Sequence, residues 1–429
     1  MTISFRRRSR VNWPGLIGLL VFIIGGGWLL YQYLGIPSWL QTMPFVPRTP
    51  TPTPVVVDDG SVTMALGEQL LQAGRLGDAV AAFEESAKTA ANGAAELRQV
   101  AAEFARQEKP ADSAIKAYQA GKATERASMA HSRISRILAL RGWNADMTAR
   151  AVEEARKALE LDAKNADARA VLILAYDRNN QYDAAIQAGK EATDLDKTNA
   201  EAFSFLAEAY ADKAPMDPRA RESALTALGL NDRSPYTHRN YGYVLETERD
   251  YSAAAGEYLN AIALAPAFSP LYLDLGRVYY MKLNKYDEAI AALRRATELD
   301  PGNPQAFTEL GRCYYSKGDF AGALSALLIA TSGDSNYANA YGYLGWVYYF
   351  GLHQYDKAVP QFLKALELGR FTAGRTAEYY TELGWSYYFL GRCPEARPAF
   401  QKALDLLASQ PDANIMAQAR NGLAACPLK

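Results

Sequence analysis

The sequence predicts an all-α protein in which pairs of helices repeat along the chain. From residue 61 onward, apolar residues recur with helical spacing and no alternating β-branched run is long enough for a convincing strand. Leu-Gly pairs recur at Leu275-Gly276, Leu310-Gly311, Leu344-Gly345 and Leu383-Gly384. Their steps of 35, 34 and 39 residues indicate one helical hairpin per repeat.

Composition narrows the class of protein. The 429 residues are 49% hydrophobic and 22% charged, which is too apolar for a disordered chain. The 46 basic and 47 acidic residues give a net charge of -1, so no long-range field attracts nucleic acid. The three Cys and three His residues lack the short spacings of a zinc site. We expect no nucleic-acid partner, no metal site and no cofactor.

Residues 13–34 form a predicted transmembrane helix. These 22 positions carry no charge and would span about 33 Å as a helix, against about 30 Å for a bilayer core. A cleaved signal peptide is the alternative, but its apolar stretch is about 7 to 15 residues and ends at a small-x-small site. The run here is longer and ends in aromatic residues. The pattern favours an uncleaved membrane anchor.

Charge asymmetry predicts how this helix is oriented. Residues 1–12 form a basic tail with four arginines and no acid, whereas Arg48 is the only cation between the helix and Asp58. The positive-inside rule therefore places the N-terminus in the cytoplasm and the rest of the chain across the cytoplasmic membrane, as a single-pass protein.

Residues 35–60 are a predicted linker rich in Pro and Thr. Five prolines stand within residues 44–54, and each fixes φ and removes a backbone donor. An extended polyproline II stalk is expected there. A PxxP ligand for a partner domain fits the same composition.

The repeated motif carries a family resemblance. Within residues 272–301 it reads Tyr272, Leu275, Gly276, Tyr279, Ala289, Leu293, Ala296 and Pro301. This pattern resembles the tetratricopeptide repeat (TPR) family, and the resemblance implies a right-handed superhelical solenoid of helix-turn-helix repeats. Ten repeats are predicted over residues 61–411.

Small residues mark the two helices of each repeat. The first helices carry them at Gly67, Ala102, Ala139, Ile173, Ala207, Gly242, Gly276, Gly311, Gly345 and Gly384. The second helices carry Ala79, Ala114, Ala151, Ala185, Ala220, Ala254, Ala289, Ala323, Ala358 and Ala396. Two helices approach to about 8 Å only where such side chains are minimal. Ile173 departs from this pattern.

Residues 412–429 are predicted to form a closing helix and tail that cover the last repeat, with Asp412 as N-cap. This helix would return antiparallel to the one before it, which brings Cys393 and Cys426 to the same end. Either a disulfide or two separate thiols fits this arrangement.

No residue set for catalysis is visible. The chain lacks GxSxG, HExxH and a glycine-rich phosphate loop. His131, His238 and His353 fall in different repeats, and we expect no enzymatic activity.

The family resemblance also implies where a partner binds. In this family the first helices line the concave surface, and the corresponding residues are Arg239, Tyr243, Arg277, Tyr280, Arg312, Tyr315, Trp346, Tyr349, Trp385 and Tyr388. Tyr, Trp and Arg anchor interfaces because they bury a large area for little lost rotamer freedom. An extended peptide or partner protein is the leading ligand, and a glycan stacked on the rings is a competitor.

We therefore interpret the sequence as a membrane-anchored scaffold or adaptor on the extracytoplasmic face of the membrane. A structural subunit of a membrane complex and a glycan-binding accessory of envelope polysaccharide assembly are the alternatives. A cytosol-facing receptor with inverted topology is a further one, against which the N-terminal arginines argue.

Overall fold

The computed structural model describes residues 57–369 and 371–427. The predicted basic tail 1–12, the predicted transmembrane helix 13–34 and most of the linker 35–60 lie outside the described residues. Every regular element inside them is helical, which confirms the all-helical prediction. Among these residues, none of the helices combines the length and the apolar character that crossing a bilayer requires.

Nineteen α-helices follow one another in the described residues. They are α1 (Ser61–Gln72), α2 (Leu76–Arg106), α3 (Pro110–Arg141), α4 (Ala145–Leu161), α5 (Ala166–Arg178), α6 (Tyr182–Leu195), α7 (Ala200–Lys213), α8 (Pro218–Leu230), α9 (Pro235–Thr247), α10 (Tyr251–Leu264), α11 (Ser269–Met281), α12 (Tyr286–Leu299), α13 (Pro304–Ser316), α14 (Phe320–Gly333), α15 (Ala338–Trp346), α16 (Tyr355–Leu368), α17 (Ala373–Phe389), α18 (Cys393–Leu406) and α19 (Ala413–Ala425). A π-helical turn, Val347–Gly351, continues α15.

From α5 onward, each predicted repeat is one hairpin of two consecutive helices. Hairpins four to ten are α5–α6, α7–α8, α9–α10, α11–α12, α13–α14, α15–α16 and α17–α18. Each contains a first-helix position and a second-helix alanine from the predicted series, and the first-helix residue is small in all of them except hairpin four, where it is Ile173. An Asn or Ser side chain accepts a hydrogen bond from a backbone N–H at the start of many of the first helices, as at Asn165, Asn199 and Asn303.

The first three repeats are built differently. Helices α2 and α3 have 31 and 32 residues, and each combines the second helix of one repeat with the first helix of the next. The turns expected there are absent. Asn165, Asn199 and Asn303 stand eight residues before the first-helix positions 173, 207 and 311, but Ala94 and His131 occupy the equivalent places in α2 and α3. Because neither residue is a good N-cap, the helix continues.

The merged helices form a projecting arm in place of the second repeat. Residues 102–119 contain no buried residue, so the predicted packing positions Ala102 and Ala114 are both exposed. The arm presents apolar side chains at Ile115, 54% exposed, and Tyr118, 67% exposed. The other nine second-helix alanines of the predicted series are buried.

A bulky residue of the second helix fills the space that each small first-helix residue leaves. A Cβ added at Gly384 would lie 2.6 Å from the ring of Phe400, and one added at Gly345 would lie 2.6 Å from the ring of Phe362. Both rings are fully buried. These close approaches explain why the sequence places glycine at this position in the last hairpins.

The array winds far enough for distant hairpins to meet. The turn between α1 and α2 lies against the backbone of residues 265–268, where Gly74 approaches the Ala267 carbonyl. Arg141, the last residue of α3, donates from Nε and Nη2 to the two carboxylate oxygens of Asp300, at 2.9 and 3.0 Å. The first three repeats therefore contact the turns that flank hairpin seven.

Both ends of the described array are covered. Residues 57–60, predicted as linker, pack on α2 and α3: Ser86 donates to the Gly60 carbonyl at 2.9 Å and Arg126 to the Asp59 carbonyl at 2.8 Å. At the other end Asp412 caps α19, and this helix covers Phe400. A disulfide joins Cys393 to Cys426, with Cα atoms 5.3 Å apart.

Candidate partner-binding groove

The first helices of the hairpins line the inner face of the array. Helices α3, α5, α7 and α9 contact one another in series, and so do α11, α13 and α15. Within the described residues, no pair of second helices makes comparable contact. The second helices therefore spread apart on the outer face, and the groove lies along the first helices.

In hairpins four to seven the protein's own ion pairs fill this groove. Glu208 is fully buried between Arg178 and Arg239. Arg239 Nη1 lies 3.1 Å from Glu208 Oε1, and its Nε lies 2.7 Å from Asp274 Oδ2. Burial alone would raise the pKa of Glu208, but the two guanidinium groups hold it below its ordinary value. These four charged side chains form a closed internal network.

Two predicted binding residues belong to this network. Arg239 is 6% exposed, and Glu208 and Asp274 use its hydrogen-bonding capacity and shield it, so the structure leaves it little surface for the predicted partner contact. Tyr243 is half-buried and its hydroxyl donates to Asp212. Burial, followed by the charge of Asp212, raises the pKa of Tyr243.

Three carboxylates of the same network approach one another closely. Oxygen atoms of Asp177, Glu208 and Asp212 lie within 4.8 Å of one another. The Arg178 guanidinium sits among them, 3.3 Å from Asp177 and 3.8 Å from Asp212, and it also bonds to Glu208. This guanidinium pairs with all three groups, Arg239 adds a second positive charge at Glu208, and burial raises the pKa of Asp177.

The next predicted residues, in hairpins seven and eight, are also engaged internally. Arg277 lies 3.7 Å from Asp274, and Arg312 donates to Glu309 at 2.8 Å, each within one helical turn. The Arg312 guanidinium also lies 5.2 Å from the ring centroid of Tyr280, whose hydroxyl is 3.0 Å from Ser316 Oγ. These side chains are half-buried and already have partners.

Trp346 lies in the hydrophobic core and not on the surface of the groove. It is 9% exposed and packs against Tyr343 and Tyr379, at ring-centroid distances of 5.0 and 5.4 Å. The Arg375 guanidinium covers its ring at 4.8 Å. Tyr379 from the next hairpin packs over Trp346 and leaves it little surface for the predicted partner contact.

An open set of aromatic rings lies at the ends of α15 and α17. We call it the aromatic cluster; it comprises Tyr349, Phe350, Tyr355, Trp385, Tyr388 and Phe389. Phe350 and Phe389 are 46% and 50% exposed. The other four side chains are half-buried, and neighbouring rings pack at 4.5 to 6.3 Å. The predicted residues Tyr349, Trp385 and Tyr388 thus come together on an accessible surface.

The backbone of hairpin nine helps to place this cluster. Residues Val347–Gly351 form a π-helical turn, in which the Leu352 N–H donates to the Val347 carbonyl at 3.0 Å. Such turns occur frequently at functional sites. Tyr355 begins α16 and stacks on Phe389 at 4.6 Å. The sequence interpretation missed Tyr355 because it considered first helices alone.

Tyr315 and Glu382 lie beside the aromatic cluster. Tyr315 is half-buried and packs on Phe320 at 5.8 Å. Glu382 on α17 is 6% exposed, and burial, reinforced by the charge of Glu378 and opposed by the Tyr349 hydroxyl, raises its pKa to about 8. The sequence interpretation did not single out Glu382. Its signal is its place two residues before Gly384, which matches that of Glu309 before Gly311.

Comparisons with known proteins agree with this fold. Two family models, both described as tetratricopeptide repeat, match residues 143–200 and 273–338 in one case and residues 336–409 in the other. The Protein SGT1 homolog of Oryza sativa subsp. japonica is 34% identical over 91 residues, 20% of this chain and 24% of that protein. Small glutamine-rich tetratricopeptide repeat-containing protein 2 of Mycosarcoma maydis is 32% identical over 78 residues, 18% of this chain and 22% of that protein. The matches thus span about a quarter of these relatives.

Solved structures share the architecture over most of the chain. The APC/C hetero-tetramer Cut9-Hcn1 superposes with a TM-score of 0.53 at 16% identity, covering 85% of this chain and 76% of that one. The human IFIT1 dimer with PPP-AAAA gives 0.52 at 16% identity, covering 82% and 95%. At this identity the likeness shows the fold alone. The repeat matches show tetratricopeptide repeats in residues 143–200 and 273–409, and the stacked hairpins agree with them.

Proposed function

We propose that this protein is a non-enzymatic scaffold or adaptor that binds an extended segment of a partner protein along α13, α15 and α17. One observation carries the proposal: accessible aromatic rings lie at the ends of α13, α15 and α17 in hairpins eight to ten, whereas internal ion pairs fill the inner face in hairpins four to seven. The accessible anchors are Tyr315, Tyr349, Trp385 and Tyr388, next to the exposed rings of Phe350 and Phe389.

Aromatic anchors suit an extended peptide. Each ring offers a large apolar face that is already held by its neighbours, so that little side-chain freedom is lost on binding. Phe350 and Phe389 leave about half of their surface in solvent, and covering them is favourable by the hydrophobic effect. The arginines of the inner face contribute less to partner binding, because Asp and Glu side chains of the same protein already pair with them.

The experiment is photocrosslinking from a photoreactive residue at Tyr315 of the full chain, in cells that produce it. The matched control places the same residue at Leu328, 45% exposed on α14 of the same hairpin and on its second helix. We expect protein adducts at position 315 that are absent at 328, and mass spectrometry then identifies the partner. Equal labelling at both positions, or none at 315, contradicts the proposal.

We also propose that residues 13–34 anchor the protein in the cytoplasmic membrane, with the hairpins on the extracytoplasmic side. The uncharged apolar run and the arginines before it support this topology. The Cys393–Cys426 disulfide fits the same proposal, because disulfides persist in oxidising compartments.

Two fusions at the C-terminus test this topology. Alkaline phosphatase, which is active only outside the cytoplasm, should be active when fused to the full chain, whereas a reporter that folds only in the cytoplasm should be silent. Removal of residues 1–35 should release the remainder from the membrane fraction. The opposite reporter pattern would favour the cytosol-facing topology.

A glycan is a second candidate ligand, because the stacked rings of Tyr355 and Phe389 resemble a platform for a sugar ring. Trp385→Ala should abolish binding of soluble envelope polysaccharide if this candidate holds. Trp346→Ala does not test it, since that ring is buried in the core. A partner that copurifies at fixed stoichiometry in mild detergent would instead indicate a structural subunit.

A further inference from the structure

Acidic residues recur at one place in the first helices, two residues before the small residue. Asp274 and Glu309 occupy it in hairpins seven and eight, and Glu382 occupies it in hairpin ten. Arg239 and Arg277 pair with Asp274, at 2.7 and 3.7 Å. Arg312 pairs with Glu309 at 2.8 Å. Each of these two acids therefore has a guanidinium partner from the same chain.

Glu382 lacks the arginines that its position would predict. The arginine three residues later, Arg277 or Arg312 in the earlier hairpins, is replaced by Trp385. A second arginine partner can come from the preceding hairpin, at the position three residues before its small first-helix residue. Arg239 of hairpin six holds this position relative to Asp274. Gly342 holds it in hairpin nine, so no arginine reaches Glu382 from there. Within the described residues, no basic side chain forms an ion pair with Glu382.

The surroundings of Glu382 are aromatic and acidic. The Tyr349 hydroxyl lies close enough to the Glu382 carboxyl to affect the pKa of both groups, and Tyr315 on α13 feels the same charge. Glu378, one turn earlier on α17, adds a negative charge, although Arg375 pairs with it at 2.8 Å. A carboxylate that is 6% exposed, with no basic partner among the side chains that the structure describes, is costly in the free protein.

We propose that the partner inserts a lysine or arginine side chain beside Glu382, between the rings of Tyr315 and Tyr349. The inserted cation supplies the charge that hairpin ten lacks. The carboxylate accepts a charge-assisted hydrogen bond and the rings attract the cation through their faces. This inference rests on the proposed function, because it assigns a chemistry to the segment that binds in the groove.

Proton release should accompany binding of this cation. Burial raises the pKa of Glu382 to about 8 in the free protein, so the carboxyl is largely protonated near pH 7. A bound cation favours the ionised form and lowers this pKa. Apparent affinity should therefore rise between pH 6 and pH 8. Glu378, Tyr315 and Tyr349 are the other titratable groups nearby, and both tyrosines keep a raised pKa.

The experiment exposes the full chain, purified in mild detergent, to an immobilised library of synthetic peptides varied at every position. Peptides retained by the wild type should carry Lys or Arg at one fixed position. Replacing that residue by norleucine should weaken binding about tenfold or more, as expected for a hydrogen bond to a charged group. Glu382→Gln should remove this discrimination while neutral peptides still bind.

Two further variants sharpen the test. Trp385→Arg restores the arginine found in hairpins seven and eight, so it should satisfy Glu382 internally and also abolish the preference for a basic residue. Glu298→Gln removes a carboxylate exposed on the outer face and should change nothing. Helical content by circular dichroism checks that each variant is folded.

The outcomes separate the two proposals. Peptides retained without a basic preference, or a preference that survives Glu382→Gln, overturn this inference and leave the proposed function standing. Failure of the wild type to retain any peptide overturns both.

Discussion

Hairpins four to seven and hairpins eight to ten share the same backbone packing and differ in what fills their inner face. In the first group, Arg239 bridges Glu208 and Asp274 and closes the groove with internal charge pairs. In the second, Tyr349 and Phe389 leave aromatic surface accessible. The difference teaches that small residues and bulky partners determine the stacking, whereas separate positions on the same helices determine whether the surface is free for a ligand.

The largest expected effect tests whether the two ends of the array share their packing. Phe83 and Phe400 are both fully buried, each against a first-helix glycine. Phe83→Ala and Phe400→Ala should each lower the free energy of unfolding by about 3 to 5 kcal/mol, because each leaves a cavity. Urea unfolding measures this. Leu328→Ala, at an exposed site, should cost about 0.5 kcal/mol or less. A cost of about 0.5 kcal/mol or less at Phe83 or Phe400 would show that the two ends of the array are packed differently.

A second effect concerns the contact between the first three repeats and the turn that follows hairpin seven. Arg141→Ala leaves Asp300 buried without its partner, which should cost about 3 kcal/mol. The exposed pair Arg295–Glu298 provides the control, since Arg295→Ala should cost about 0.5 kcal/mol or less. Urea unfolding of both variants measures the two losses in free energy of unfolding. Equal costs would show that the Arg141–Asp300 pair does not hold the windings together.

The disulfide should stabilise the last hairpin. Closing a loop across a sequence separation of 33 contributes at most about 3.7 kcal/mol, and we expect about 2 to 3 kcal/mol. Reductant should lower the Tm of the wild type and leave a Cys393→Ser, Cys426→Ser variant unchanged. Cys313 does not interfere, because burial raises the pKa of its thiol to about 12. A wild-type Tm insensitive to reductant would contradict this prediction.

The smallest effect is a pH dependence that Glu382 introduces. Its pKa rises from 4.5 to about 8 on folding, so the folded state binds the proton more tightly than the unfolded state. The stabilisation is complete below about pH 4.5 and is lost as the pH rises to about 8. Glu382→Gln should therefore be more stable than the wild type by about 2 kcal/mol at pH 6 and equal to it near pH 4. Glu298→Gln should follow the wild type at both values.

Much of the fold could be predicted from the sequence because its packing is local. The recurrence of Gly276, Gly311, Gly345 and Gly384 reports a helix crossing inside each hairpin, and each crossing lies within about 20 residues of chain. The sequence prediction placed turns within α2 and α3, because the helical period alone does not show where two predicted helices are continuous. The poor caps at Ala94 and His131 do show it.

The candidate site was less predictable because its residues interact between repeats. The series of Arg and aromatic residues was visible, but whether an arginine is free depends on acids in neighbouring hairpins, as for Arg239 with Glu208 and Asp274. Contacts such as Arg141 with Asp300, 159 residues apart, depend on small rotations summed over several repeats. No local pattern reports such a sum.

The most direct test of an open groove in hairpins eight to ten is hydrogen exchange of the full chain, with and without a peptide retained from the library. We expect the peptide to slow exchange at the ends of α13, α15 and α17, around residues 315–319, 349–354 and 388–392. Exchange should not change at the corresponding ends of α5, α7 and α9. Protection along α5 to α9, on the second helices or on the arm at residues 102–119 would contradict this expectation.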